Sequence, residues 1–341
     1  MVSLLSPKFG WYSTSTLQSP DEVVRYAIIA EKSGFTSVWH NDHSLLCQAP
    51  PSTDKDLTPD VYVILATIAA NTKKIRIGPC VTDPFRRHPF ITAQTVATLD
   101  YLSNGRAVLG IGAGHQSMLS PFGMKLEHPI QRLREAIEVI RNLWIRNDAD
   151  YDGEFYKLHF DPPLYPNLCS LVRQKPHPPI YVGSLSGSKL RELAGEVAQG
   201  FLPYLCPPRL YCKWVNDIKS GAEKAGRVFR EVDTCAFVNV ALSDNYSLAK
   251  KESEKLRESA VGYSYLFGSE LGYEPVNEAK EVPFELIEEL AAIGSAEECI
   301  DKIEEYVKAG AQHILIRKII PSGYREMFRV FKEKVIPSFS G

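Results

Sequence analysis

The chain has 341 residues, 44% of them hydrophobic and 23% charged, with a formal net charge of −2. That balance fits a globular protein with a large core and argues against nucleic acid or an acidic membrane surface as the main partner. The longest apolar run falls well short of the roughly 20 residues of a membrane span. Nor does the stretch from Met1 to Lys8 combine a charged segment with an apolar one, so no signal peptide is expected.

Short β-branched or aromatic runs alternate with longer segments of helical period, the signature of parallel βαβ units. The first strand is expected over Lys8–Thr14. Ser19-Pro20-Asp21-Glu22 then opens a helix, with Ser19 as cap, Pro20 at the first helical position and Glu22 three residues on; Gly34 ends it. Phe35–Asn41 reads as the second strand, Thr58–Asn71 as a helix and Ile75–Val81 as the third strand. His88–Leu102 reads as a helix stopped at Asn104-Gly105, and Ala107–Gly112 as the fourth strand. From Pro129 to Trp144, Ile130, Leu133, Ile137, Ile140 and Trp144 mark one buried helical face.

Asp152-Gly153 between strand-like residues predicts a hairpin outside the main repeat. The fifth to eighth strands are expected at Ile180–Ser184, Gly200–Leu205, Thr234–Leu242 and Gln312–Lys318, with closing helices over Ser295–Gly310 and Tyr324–Val335. Eight strand–helix repeats without a break in composition predict one α/β domain over residues 1–341. The expected fold is a (β/α)8 TIM barrel with insertions at about 145–179 and 244–293. An open dinucleotide-binding sheet would need a glycine-rich turn after the first strand, where the sequence is Tyr12-Ser13-Thr14-Ser15.

Active sites of such barrels lie at the C-terminal ends of the strands. The second strand ends in Asp42-His43, which reads either as an acid/base pair or as a loop-ordering carboxylate beside a rim histidine. After the fourth strand, Gly110, Gly112 and Gly114 lack the dinucleotide spacing and read as clearance for a flat ring. His115 next to them is either catalytic or a solvated loop residue. Gly183-Ser184-Leu185-Ser186-Gly187-Ser188 precedes a helix and suits a phosphate, or serves only as a helix cap. Arg86-Arg87-His88 reads as a hold on an anionic cofactor tail or as solvated surface. No metal site is expected. The seven cysteines are odd in number and scattered, without C-x-x-C, which points to free thiols and a cytoplasmic location.

A series of stretches now follows in chain order: Ala30 to Trp39, Asp42-His43, Arg76-Ile77-Gly78, Arg87-His88-Pro89, Leu102 to Arg106 and Leu109 to Gly112. Pro178 to Val182, Leu193 to Glu196 and Gly294 to Gly310 complete it. Together they resemble the luciferase-like monooxygenase superfamily over nearly the whole chain. Within it they are most similar to the coenzyme F420-dependent branch of methylenetetrahydromethanopterin reductases and F420-dependent alcohol and glucose-6-phosphate dehydrogenases. The resemblance implies hydride transfer between the C5 carbon of a deazaflavin and a small organic substrate. Reduced FMN with oxygen is the alternative chemistry on this fold, and a non-catalytic flavin-binding barrel is the reading from another class.

The resemblance further implies a non-proline cis peptide at Cys80-Val81 under the cofactor ring. Cofactor contacts are expected from Asp42, Cys80, Val81, Thr82, Gly112 and Gly114, and phosphate contacts from Gly183, Ser184, Ser186, Gly187 and Ser188. His43 is expected to handle a proton, with His115 second and Asp42 beside it. The chain departs from the dehydrogenases in carrying Cys47 where they have tryptophan and His115 where they have glutamate. A homo-oligomer, dimer or tetramer, acting on a small molecule without nucleic acid or membrane, is the expected working form.

Overall fold

The computed structural model describes residues 6–14, 18–43, 58–146, 150–161, 166–185, 187–319 and 323–340. Ser186 and Cys47 lie outside them. The strands are β1 (Lys8–Ser13), β2 (Ser37–His40), β3 (Arg76–Pro79), β4 (Leu109–Gly112), β5 (Tyr151–Asp152), β6 (Lys157–Leu158), β7 (Ile180–Ser184), β8 (Gly200–Pro203), β9 (Asp233–Leu242), β10 (Ala291–Gly294) and β11 (His313–Lys318).

Eight of these form one path, β3-β2-β1-β11-β9-β8-β7-β4, in which every pairing is parallel. Two bridges between β3 and β4, Ile77 to Ala107 and Thr82 to Ile111, bring the ends together. The expected (β/α)8 barrel is therefore what forms. Strands β5 and β6 make the antiparallel hairpin that Asp152-Gly153 announced. The polar stretch after β9 holds helices Tyr246–Ser253, Arg257–Leu271 and Phe284–Leu290. It ends in a strand the sequence did not reveal: β10 pairs with the last four residues of β9. Ala291-Ala292-Ile293-Gly294 is too short and too small in side chain to show a period of its own.

Local signals place most boundaries. Glu22 accepts from the Ser19 amide at 3.2 Å and caps helix Pro20–Lys32. Helix Pro89–Ser103 ends on Asn104 at φ 58°. The second helix starts later than expected, at Val61, because the Asp60 carboxylate accepts from the Tyr62 and Val63 amides. Outside the barrel, Trp11 packs 5.6 Å from both Tyr324 and Phe328, so the C-terminal helix seals the first strand. The six cysteines among the described residues are free, and no helix among them is long and apolar enough to cross a membrane.

Polar groups close the barrel floor at the N-terminal ends of the strands. The Asp233 carboxylate takes Lys8 Nζ at 2.7 Å, the Tyr181 hydroxyl at 2.6 Å and His313 Nδ1 at 3.2 Å, while His313 Nε2 meets Ser37 Oγ at 2.8 Å. Burial works to raise the Asp233 pKa, but the contacts with His313 and Lys8 outweigh it and hold the carboxyl well below its usual 3.8. A carboxylate depressed in this way adds stability that is fully present above pH 3.8 and fades as the pH falls below it. Asp233→Ala should therefore cost about 2–4 kcal/mol at neutral pH, discounted from a fully buried pair because Lys8 is half-exposed. Urea unfolding of the variant tests this, and a loss under about 1 kcal/mol would show that the cluster does not hold the floor.

Candidate active site

The third strand carries one residue too many. Between the two β3–β4 bridges the chain takes five steps from Ile77 to Thr82 but only four from Ala107 to Ile111. This is a β-bulge, which leaves the extra residue unpaired and re-aims its neighbours. Ladder bonds hold both sides of it: Val108 N to Ile77 O at 2.9 Å below, Thr82 N to Gly110 O at 3.0 Å and Gly112 N to Thr82 O at 2.8 Å above. The Cys80–Val81 peptide within the bulge is cis, as the sequence resemblance implied.

Val81 leans over the two following strands, and their glycines make room for it. A Cβ on Gly112 would stand 2.8 Å from Val81 Cγ2, and one on Gly183 would stand 2.7 Å from Val81 Cγ1. The clearance read from the glycine pattern is thus filled first by a protein side chain. Val81 becomes a ridge on the wall of a cavity of about 1920 Å³ at the C-terminal ends of the strands. Every described candidate borders that cavity: Asp42, His43, Cys80, Val81, Thr82, Gly112, Gly114, His115, Gly183, Ser184, Gly187 and Ser188. The space exceeds the roughly 300–1,000 Å³ of ordinary ligand sites, enough for two molecules side by side.

Arg86 and Arg87 differ from both sequence readings. Arg86 Nε meets Asp83 Oδ2 at 2.5 Å, and its Nη2 reaches the Asp42 carbonyl at 2.8 Å and Asp42 Oδ2 at 3.5 Å. Arg87 bridges Asp42 at 3.4 Å and Asp60 at 2.6 Å. His88 is exposed, as one of the readings had it, and its Nδ1 accepts from the Phe90 amide and caps a helix. These guanidiniums therefore pin the loops after β2 and β3. The Asp42 carboxylate is turned toward arginine, which favours its loop-ordering reading.

His43 is half-buried at the rim. Burial lowers its pKa below the ordinary 6.5; Arg86 and His115 push the same way, and Asp42 opposes them. His115 is exposed, with Nδ1 at 2.7 Å from Ser117 Oγ. Both imidazoles face the same cavity. The helix Ser188–Val197 starts at Gly187, φ 91°, and no side chain among the described residues caps it. Ser184 is buried, and its carbonyl accepts from Tyr204 N at 2.9 Å.

Sequence reading missed one cluster outright. Asp233, Cys235 and His313 bring three potential metal ligands within 4.8 Å of one another. Both His313 nitrogens are engaged, Lys8 and Tyr181 occupy Asp233 Oδ2, and burial pushes the Cys235 thiol far up, so it holds its proton. That donor set stabilises the floor and does not fit a metal.

The luciferase-like monooxygenase family model matches residues 1–313. The chain belongs to that family. It is 29% identical to the 5,10-methylenetetrahydromethanopterin reductase of Archaeoglobus fulgidus, over 93% of this chain and 95% of that one. It is 30% identical to the F420-dependent glucose-6-phosphate dehydrogenase of Microbacterium testaceum, over 97% and 96%. An F420-dependent secondary alcohol dehydrogenase, solved with an F420-acetone adduct, superposes with TM-score 0.81 at 25% identity, over 98% and 99% of the two chains. Monooxygenase structures at 16% to 21% identity share the architecture alone.

The electrostatic arrangement has a direct test. Arg86 lowers the His43 pKa and engages Asp42, which raises it. Arg86→Met should therefore move the His43 titration upward, followed by NMR of the imidazole; an unmoved or lowered midpoint would contradict the arrangement.

Proposed function

We propose that the chain is a coenzyme F420-dependent oxidoreductase that moves a hydride between the deazaflavin C5 and a small organic substrate. The observation that carries this reading is the wall shared by β3, β4 and β7, where Val81 stands between Gly112 and Gly183 beside an uncapped helix start. A flat ring fits against the ridge, and a phosphate fits the open amides at Gly187 and Ser188. The relatives that span the chain at 29% and 30% identity are a reductase of methylenetetrahydromethanopterin and an F420-dependent dehydrogenase. FMN with oxygen is the competing assignment, supported by the shared fold.

Bound deazaflavin supplies a carbon centre that accepts or releases a hydride and leaves oxygen unactivated. The protein supplies position and proton transfer. Val81 would support the ring, and the Gly187 and Ser188 amides would hold the phosphate end. At neutral pH, His43 is an uncharged imidazole because its pKa is lowered; it is ready to take a proton from a substrate undergoing oxidation. The reverse reduction draws on protonated His43 and slows as the pH rises. His115, where the dehydrogenases of this branch have glutamate, is the second proton carrier.

Titrating the purified protein with F420 and FMN side by side tests the cofactor. F420 should saturate it at far lower concentration, whereas FMN binding with oxygen uptake would install the monooxygenase reading. With methylenetetrahydromethanopterin, secondary alcohols and glucose 6-phosphate as the substrate panel, His43→Ala should lower turnover roughly 10²–10⁴-fold and leave F420 affinity nearly unchanged. The oxidative rate should rise with pH through a midpoint below 6.5, and that step should vanish in the variant. Collapse in His115→Ala with full activity in His43→Ala would assign the proton to His115.

A further inference from the structure

The inner face of a barrel takes every second residue of each strand. On β11 that face runs from His313 in the floor, past Leu315 beside Gly10, to Arg317 in the cavity. Arg317 is half-buried, and among the described residues it has no carboxylate within ion-pair distance and makes no hydrogen bond.

The other lysines and arginines that border the cavity without being exposed are all paired. Arg86 holds Asp42 and Asp83, Arg257 holds Glu254, and Lys318 meets Glu252 at 2.5 Å. Arg317 is the exception. A cation partly withdrawn from water without a counter-charge is costly, and a bound anion relieves that cost.

Its place in the ring separates it from the cofactor wall. In the order β3-β2-β1-β11-β9-β8-β7-β4, closed from β4 back to β3, β11 lies four strands from β4 in either direction. Arg317 thus stands diametrically across the mouth from Gly112. Its two flanking strands supply Tyr12 and Phe237, which line the cavity edge to face with ring centroids 5.0 Å apart.

We propose that Arg317 anchors the carboxylate of the second substrate, whose apolar body lies against Tyr12 and Phe237. The forked guanidinium matches a carboxylate through two parallel hydrogen bonds. The single charge of Arg317 balances one carboxylate, whereas a phosphate dianion calls for a second cation beside it; the neighbouring Lys318 is already neutralised by Glu252, and Lys189, Lys255 and Lys280, which also border the cavity, are exposed. The proposal rests on reading the opposite wall as the cofactor's.

The test uses the full chain, with and without F420, and benzoate as probe, with benzamide as its neutral counterpart and phenyl phosphate as the dianion. Binding is followed by calorimetry or saturation-transfer NMR, without turnover. Benzoate should bind more tightly than the other two. Arg317→Met should weaken benzoate roughly 10- to 100-fold and leave benzamide unchanged, with Arg317→Lys between.

F420 affinity and the melting temperature should stay near wild type in both variants. Equal binding of benzoate and benzamide to the wild type would overturn the proposal. So would tighter binding of phenyl phosphate, or a parallel loss of F420 affinity, which would move Arg317 to the cofactor's site. If F420 fails to bind the wild type while benzoate binds through Arg317, the cofactor reading falls and the carboxylate site stands.

Discussion

One surplus residue in β3 governs the upper half of this barrel. Parallel strands in a closed sheet share a register, so an extra step on one strand must leave the ladder. Here it leaves between Ile77 and Thr82, and the displaced Val81 turns over β4 and β7. Those strands then tolerate only glycine at 112 and 183, since any Cβ there would stand under 3.0 Å from Val81. The bulge also keeps a bond to the other side, from Cys80 N to the His40 carbonyl at 2.7 Å, which fixes the end of β2 just before Asp42 and His43. A single irregularity in register thus sets the cavity's ridge, the glycines around it and the starting point of the histidine loop.

Charge is distributed unequally between the two ends of the barrel. At the floor, Lys8, His313 and Tyr181 converge on Asp233 Oδ2 from three other strands. At the mouth, Asp42, Asp60 and Asp83 are engaged with Arg86 and Arg87. These pairs engage the described carboxylates nearest β2 and β3 and leave the proposed proton transfer to His43 and His115. Burial keeps His43 neutral near pH 7, so its environment suits proton exchange better than fixed charge.

Features carried by neighbouring residues were legible in the sequence. The alternation of strands and helices, the Ser19–Glu22 cap, the Asn104 stop and the β5–β6 hairpin each rest on a few consecutive side chains. Strand ends then pointed to the loops that line the cavity, because a barrel opens there whatever its sequence. What escaped was non-local. Asp233 lies 225 positions from Lys8 and 80 from His313, and no spacing rule joins them. Arg86 and Arg87 looked like solvated or anion-binding residues because their partner Asp42 sits 44 and 45 positions away. Arg317 follows Ile316 in an ordinary apolar strand, and its lack of a counter-ion among the described residues emerges only from the structure.

The proposed chemistry gives that imbalance a meaning. Hydride transfer requires the donor and acceptor carbons to be held in contact, and a fixed charge that grips the substrate away from the reacting carbon supplies that positioning. With Asp42 and Asp83 tied to arginine, Arg317, which has no counter-ion among the described residues, supplies positive charge on the side away from Val81. A carboxylate held there would neutralise it when substrate enters and would fix the substrate's orientation before any bond changes. The mouth would then combine an anchor on β11, a ridge on β3 and an imidazole after β2, on three strands of one closed sheet. Backbone register would set the anchor and the ridge, while the imidazole would depend on the loop that Arg86 pins through Asp42, so orientation in this site would rest on the barrel and one tethered loop.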